Sequence, residues 1–287
     1  MQTKLFVLML LIVIAGLLNG GCGSSSTSVL YDTPNWMPDG RIVCSKLVIT
    51  TSQQLYGGGV SESKGYIAAF WPSGTDEVNL YEEGNVSEIT CSPTGELIAY
   101  IHASYGGVRG GIMVSDYFGN KQLVQNTSDI KYLDWSPDAN KLVFSDSSRN
   151  LYVINRDGTE KTKIAASAEA VAWRVGEKIV YEFVENGYVY LGRTNTDGSS
   201  KESFGSMSVY SPQISTTNSN YVYGTASSAY RKLNVSNVPL TEDILITSFT
   251  MYKPRLSFDN TKIVSGAWGD PGIWLINIDG TGYTKIR

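Results

Sequence analysis

The chain has 287 residues, of which 42% are hydrophobic and 17% are charged, and its formal net charge is −4. This apolar content is enough for one sizeable core and excludes wholesale disorder. Because Lys and Arg form no concentrated run, nucleic acid is excluded as an expected partner. The 18 tyrosines and 29 glycines, together with many Val, Ile and Thr residues, favour an all-β body of strands and turns.

The first 21 residues have the pattern of a bacterial lipoprotein signal peptide. Lys4 gives a positive start, residues 5–18 form a continuous apolar run, and two glycines precede Cys22. The resemblance implies that Cys22 is acylated and becomes the N-terminus, with residues 22–29 as a polar tether. The sequence departs from the usual pattern at Asn19, where such signals carry leucine. An ordinary secretory signal and an uncleaved anchor are the alternatives, although an apolar run of about 14 residues is short for a membrane span, which needs about 20.

Cys44 and Cys91 are the other two cysteines, and both lie in apolar, strand-like segments. Export would permit a disulfide between them. Because free cysteine is among the residues most often buried, the local sequence favours two reduced core thiols over a bridge. The cysteine spacing matches no metal-binding motif, so no metal or other cofactor is expected.

A repeat of roughly 40–50 residues runs through the rest of the chain. In its better copies a strand meets a Pro-Asp-Gly-like turn, in which Pro fixes φ and Gly or Asn accepts a positive φ, and an apolar strand returns. A second hairpin follows, most clearly around Asp157-Gly158 and Asp279-Gly280. Each unit therefore has four antiparallel strands, and six such units predict a six-bladed β-propeller over residues 30–287. The aligned positions are Trp36, Cys91, Trp135, Trp173, Ile214 and Leu256.

Closure of the predicted ring is open at this point. The first strand is expected near residue 34 and the last hairpin ends at Ile286, so no spare C-terminal strand is available to complete the first blade. Either residues 29–31 add to an edge or the ring closes by packing alone. The aromatic residues that recur on the first and second strands are expected in the core, namely Trp36, Trp135, Trp173, Tyr100, Phe144 and Tyr181.

The third copy of the repeat carries a family resemblance. Trp135-Ser136-Pro137-Asp138, followed by residues 141–145 and 151–154, resembles the repeat of the TolB propeller and of the propeller domain of prolyl oligopeptidases. The resemblance covers residues 30–287 and is strong in repeats one to three and six but weak in four and five. It implies a six-bladed propeller. The α/β domain of TolB and the hydrolase domain of prolyl oligopeptidases are not expected within these residues.

The sequence argues against most enzymatic chemistry. His102 is its one histidine, which disfavours histidine triads and multi-histidine metal sites. Oligogalacturonate lyases share the resemblance but depend on several histidines around a metal. The sequence therefore favours a non-enzymatic binding or scaffold module of the cell envelope, whose partner is a protein, peptide or glycan. One alternative is a polysaccharide hydrolase or lyase that uses carboxylates of the central channel, and another is a purely structural envelope protein without a defined ligand.

The loops between second and third strands are expected to form the binding face. Those of blades one, two and six are predicted over residues 46–65, 102–111 and 267–271, and ring closure would place these blades side by side. Tyr, Trp and Arg are the residues most enriched at binding hot spots. Ordinary flexible loops are the alternative. The predicted partner-binding residues are Tyr56, Tyr105, Arg109, Trp268 and Asp270.

Acylation of Cys22 can be tested by labelling cells with radioactive fatty acid. We expect label in the wild-type chain and none in Cys22→Ala, because acylation at such a signal requires the thiol. Several acyl chains anchor a protein stably, whereas one gives marginal attachment. Since Gly23 follows the cysteine, the resemblance implies an outer-membrane lipoprotein in a bacterium with two membranes. Equal labelling of both chains would contradict the anchor.

Overall fold

A computed structural model describes residues 25–53, 59–102, 110–173, 177–206, 209–214, 220–225, 230–234, 243–247, 251–267 and 270–287. Its strands form six four-stranded sheets, each with its strands in chain order. The registered strand pairs are antiparallel. The all-β propeller of four-stranded antiparallel blades that the repeat predicts is confirmed.

The first three sheets contain twelve strands. Sheet 1 consists of β1 (Ser25–Trp36), β2 (Ile42–Gln53), β3 (Gly59–Phe70) and β4 (Val78–Glu82). Sheet 2 consists of β5 (Val86–Cys91), β6 (Ile98–His102), β7 (Gly111–Ser115) and β8 (Lys121–Gln125). Sheet 3 consists of β9 (Ile130–Trp135), β10 (Lys141–Asp146), β11 (Leu151–Asn155) and β12 (Thr162–Ala165).

The remaining sheets contain the other twelve strands. Sheet 4 consists of β13 (Ala168–Ala172), β14 (Lys178–Glu185), β15 (Tyr188–Asn195) and β16 (Glu202–Ser206). Sheet 5 consists of β17 (Val209–Ile214), β18 (Asn220–Thr225), β19 (Tyr230–Asn234) and β20 (Asp243–Thr247). Sheet 6 consists of β21 (Met251–Leu256), β22 (Lys262–Ala267), β23 (Asp270–Asn277) and β24 (Thr284–Lys285).

The chain divides into two compact units. One comprises residues 1–28 and 49–63, and its described part holds the start of β1, the end of β2 and the start of β3. Within it the hydroxyl oxygens of Thr51 and Ser61 lie 3.1 Å apart. The other unit comprises residues 29–48 and 64–287 and holds the hydrophobic clusters. In the described part of the chain, no helix has the length and apolar character needed to cross a membrane.

The loop predicted over residues 46–65 is wrong. β2 continues to Gln53 and β3 begins at Gly59. The segment Val48-Ile49-Thr50-Thr51 is rich in β-branched residues, which favour a strand. The first strand of this sheet is also longer than predicted, because β1 begins at Ser25 and not near residue 34. The outer part of β1 is exposed and only its last four residues are buried, so the burial pattern, rather than the strand itself, begins where the sequence predicted.

The core lies between neighbouring sheets, in separate apolar clusters. Sheets 1 and 2 share a cluster that includes Met37 and Tyr100, and sheets 2 and 3 share one with Trp135. The six aromatic residues predicted for the core are all buried. Cys44 and Cys91 are also buried and not joined by a disulfide, as predicted, and they belong to two different clusters.

The turns follow the predicted chemistry. Gly40 and Gly95 close two of the first turns with φ of 92° and 76°, a region that costs glycine little. Gly158 in a second-hairpin turn has φ of 88°. There the Asp157 carboxylate accepts a hydrogen bond from the backbone N–H of Thr159 at 2.9 Å. These aspartates shape β-turns, as the sequence indicates.

Sheet 1 shares no strand with the sheets beside it. It shares an apolar cluster with sheet 6 as well as with sheet 2. The indole Nε1 of Trp36 donates to the backbone oxygen of Arg255 in sheet 6 at 2.9 Å. Trp135 makes the equivalent bond to the backbone oxygen of Thr90 in sheet 2 at 3.1 Å. Residues 29–31 lie inside β1 itself, and the contacts of sheet 1 with sheet 6 include apolar packing and the Trp36 hydrogen bond.

Replacement of Trp135 tests the core. Its side chain is fully buried, and Trp135→Ala should lower the free energy of unfolding by roughly 3–5 kcal/mol because it leaves a large cavity. Trp71→Ala is the control, since Trp71 is 41% exposed. Chemical denaturation of both variants measures the difference. A loss below about 1 kcal/mol for Trp135→Ala would be inconsistent with a core position.

Candidate binding site at the hairpin end of sheets 3 and 4

The topology gives each sheet two unlike ends. One end of each sheet, which we call the hairpin end, holds three connections. They are the link that enters the sheet, the connection between its second and third strands, and the link that leaves it. The two other turns share the opposite end, which we call the turn end. Connections carry function more often than the strands that position them, so the hairpin end is the first place to look for a site.

Most of the predicted site residues lie outside the part of the chain that the structure describes. Cys22, Tyr56, Tyr105, Arg109 and Trp268 lie outside the described residues. The backbone of Asp270 is described, and it corrects one prediction. Asp270 is the first residue of β23 and pairs with Ala267 of β22, so it lies in a strand and not in a loop. The connection of sheet 6 is therefore shorter than the predicted 267–271.

Irregular strand pairing marks the hairpin end of sheets 3 and 4. In β13, Glu169 and Ala170 lie between ladder positions where only Glu182 stands opposite in β14. In β9, Lys131 is the extra residue between the ladder positions of Ile130 and Tyr132. Such β-bulges re-aim side chains and are over-represented next to functional sites. Here they bring charged residues of two inner strands together.

Two half-exposed cations flank Glu169. The Nε of Arg149 lies 2.5 Å from one Glu169 carboxylate oxygen, and the Nζ of Lys131 lies 4.0 Å from the other. The side chains of Lys131 and Arg149 are 44% and 49% exposed. The backbone of Arg149 is also fixed, because its carbonyl accepts the N–H of Ala168 at 2.8 Å. The cluster of Lys131, Arg149 and Glu169 is therefore held in place through its backbone and exposes its cationic side chains to solvent.

Glu182 is a buried acid beside this cluster. Its residue exposure is 4%. Burial, and secondarily the negative charge of Glu169, raises the pKa of Glu182 to about 8, although a backbone hydrogen bond from Ala170 opposes the shift. The carboxyl is therefore largely protonated at neutral pH. It adds no charge to the site and is too deeply buried to present its proton to a large substrate.

An aromatic surface lies on the same hairpin of sheet 4. Phe183 and Tyr190 are partners across β14 and β15, and their rings stack with centroids 5.3 Å apart and planes 18° apart. Two positions nearer the tip, and so on the same face, Glu185 pairs with Tyr188, and Tyr188 is 66% exposed. We call Phe183, Tyr188 and Tyr190 the aromatic platform. Phe183 is also the ladder partner of Ala168, which places the platform beside the Arg149 backbone.

The platform was missed by sequence reasoning that looked for long loops. Asn186 and Gly187 have φ of 51° and 79°, the conformation of a two-residue type I′ hairpin turn. Asn-Gly between runs of alternating aromatic residues is the strongest short-range hairpin signal in a sequence. That signal, and the alternation of Phe183, Tyr188 and Tyr190, could have located the platform.

His102 has a structural partner. Its Nε2 lies 3.3 Å from the carboxylate of Glu83, which also accepts hydrogen bonds from the Tyr100 hydroxyl at 2.7 Å and from Lys121 at 2.6 Å. Burial opposes ionisation, but the hydrogen bonds from Lys121 and Tyr100 lower the pKa of Glu83. The ionised Glu83 carboxylate, in the segment that follows sheet 1, therefore binds that segment to sheet 2.

The turn end offers shallow clefts and no metal centre. One cleft of about 350 Å³ is lined by Asp116, Asn120 and Arg156, and one of about 300 Å³ is lined by Pro38 and Asp259. Across the residues that the structure describes, no group of three or more His, Cys, Asp or Glu side chains could hold a metal ion.

Comparison with known proteins shows the fold alone. No protein-family model matches the chain, and no curated protein matches it in sequence. TolB from Acinetobacter baumannii is similar with a TM-score of 0.63 and 11% identity, over 89% of this chain and 78% of that chain. The β-propeller domain of the Trilobed protease from Pyrococcus furiosus gives 0.58 and 14%, over 90% and 82%. An oligogalacturonate lyase in complex with manganese gives 0.56 and 12%, over 87% and 90%.

The raised pKa of Glu182 makes stability depend on pH. The folded protein holds the Glu182 proton more tightly than the unfolded chain does. The stabilisation that this proton gives to the folded state is therefore fully present at low pH and is lost as the pH rises toward 8. At pH 9, Glu182→Gln should therefore exceed the wild type in unfolding free energy by roughly 2–5 kcal/mol, and at pH 4 the difference should vanish. Urea denaturation at both pH values measures this. Glu96→Gln, at an exposed position, is the control, and equal behaviour of the two variants would contradict a buried protonated acid.

Proposed function

We propose that the chain is a non-enzymatic binding or scaffold module of the bacterial cell envelope. In this proposal Cys22 is acylated and holds the protein at a membrane, in the outer membrane where there are two. The six sheets are the blades of a six-bladed propeller, whose hairpin end is presented to a protein, peptide or glycan partner. Similarity in fold to TolB and to peptidase propellers is compatible with this function but equally with an enzyme.

The observation that carries the proposal is the aromatic platform beside half-exposed charged groups. Tyr188 is a large aromatic residue that is 66% exposed at a hairpin tip, while Arg149 keeps half of its side chain in solvent. Tyr and Arg dominate binding hot spots. Neither side chain belongs to the apolar clusters formed by the described residues, so their exposure serves recognition better than stability.

A polysaccharide hydrolase or lyase is the second candidate, and one observation favours it. Glu169 and Glu182 are two acids in adjacent strands, and burial raises the pKa of Glu182, as it does for many catalytic acids. However, Glu182 is buried and Glu169 is paired with Arg149. If Glu169→Gln abolished measurable cleavage of a polysaccharide by the chain, the enzymatic alternative would replace the binding one.

Capture of a partner from detergent-solubilised envelope tests the proposal. Once a partner is found, Tyr188→Ala should weaken binding by about 2 kcal/mol or more and leave the melting temperature nearly unchanged, because the ring is exposed. Tyr105→Ala and Trp268→Ala should each weaken binding by about as much if the patch predicted from sequence also contacts the partner. Titration by surface plasmon resonance gives the affinities.

Trp71→Ala is the matched control, since Trp71 is an exposed aromatic residue at the turn end. It should bind like the wild type. If Trp71→Ala alone weakened binding, the partner would occupy the turn end and the proposed face would be wrong. If all three hairpin-end variants bound normally, the hairpin end would have no role in recognition.

A further inference from the structure

Two rings of the aromatic platform, Phe183 and Tyr190, are held in place by neighbouring strands. Phe183 and Tyr190 stack across the sheet, and Tyr181 supports Phe183 from the core side with ring centroids 5.5 Å apart. A side chain at Gly192 would meet the Phe183 ring at 2.8 Å. Glycine at this position therefore lets the Phe183 ring lie close against β15. Rings fixed in this way lose little conformational entropy when a ligand binds.

The charges around the platform include no excess of positive charge. Lys131 and Arg149 are positive, whereas Glu169, the exposed Glu185, and Asp129 and Asp146 in the neighbouring connections are acidic. Glu182 is buried beside them and adds none at neutral pH. Such a site gives no long-range attraction to a polyanion such as a nucleic acid or an anionic membrane. The partner that suits it therefore carries no strong negative charge.

The polar groups at the rim offer both donors and acceptors. Arg149 and the Asn186 amide can donate hydrogen bonds, and Glu185 and the Asn186 carbonyl can accept them. A hydroxyl group both donates and accepts, so vicinal hydroxyls fit this rim better than a ligand with one type of group. The negative face of an aromatic ring attracts the positively polarised C–H groups that line one face of a sugar ring.

From these three features we infer that the platform is a subsite for an uncharged glycan, with sugar rings packed on Tyr188 and Tyr190. The inference rests on the proposed binding function and names the ligand class of that same face. Exposed carbohydrate-facing tyrosines need no metal and no catalytic group. The glycan would run across the tip of the hairpin between β14 and β15, where Tyr188 is most exposed.

Affinity electrophoresis of the full chain in detergent tests the inference. Native gels would contain hydroxyethylcellulose, glucomannan or dextran as neutral probes and alginate as an acidic one. We expect at least one neutral polysaccharide to retard the wild type. The double variant Tyr188→Ala with Tyr190→Ala should lose affinity by about tenfold or more, whereas Trp71→Ala should migrate like the wild type. Circular dichroism melting would confirm that the double variant is folded.

Three results would overturn the glycan subsite: no retardation by any neutral polysaccharide, retardation by alginate alone, or equal retardation of the wild type and the double variant. These results leave the proposed function separable. If the double variant lost an envelope protein in the capture experiment while no polysaccharide retarded the wild type, the glycan inference would fail and the binding function would stand. If the double variant kept both its envelope partner and its retardation by a neutral polysaccharide, the platform would have no role in either kind of binding.

Discussion

The arrangement of the sheets depends on buried polar groups of the inner strands. In four sheets the residue before the aligned repeat position is polar and buried, and these residues are Asn35, Thr90, Asp134 and Arg255. The Asn35 amide donates to the Ile89 backbone oxygen at 2.8 Å. Thr90 donates to Asp134 at 2.9 Å, and Asp134 accepts the Trp173 N–H at 2.9 Å. Since a buried polar group without a partner is costly, each sheet must keep its neighbour in place.

The ion pairs between sheets 2 and 6 bury more charge than any of these hydrogen bonds. Glu88 of β5 pairs with Arg255 and Lys253 of β21, and the Lys253 Nζ lies 2.6 Å from one carboxylate oxygen. Burial lowers the pKa of Arg255 to about 10, which reflects the cost of taking its charge out of water. Removal of one partner from such a group costs about 3–5 kcal/mol. Because β5 and β21 belong to the sheets on either side of sheet 1, this ion pair helps to hold sheet 1 without a shared strand.

The fold was predictable because its signals are local and repeated. The turn glycines and the recurring tryptophans needed no knowledge of the partner strand. The predicted loop over residues 46–65 failed because glycine content was weighed above the β-branched segment that extends β2. The site was harder to find. The raised pKa of Glu182 depends first on its burial and second on Glu169, which the bulge in β13 places near it, and no local pattern in the sequence encodes either.

The two ends of the sheets use polar residues differently, and this difference argues for where function lies. At the turn end, Asp157, Asp197 and Asp279 each accept the N–H of the residue two positions ahead, and side-chain hydrogen bonds there lower their pKa values. A ligand that recruited these carboxylates would have to break the turns that they define. At the hairpin end, Tyr188 is 66% exposed and the Arg149 side chain is 49% exposed, so a ligand can contact their exposed surfaces without breaking a turn.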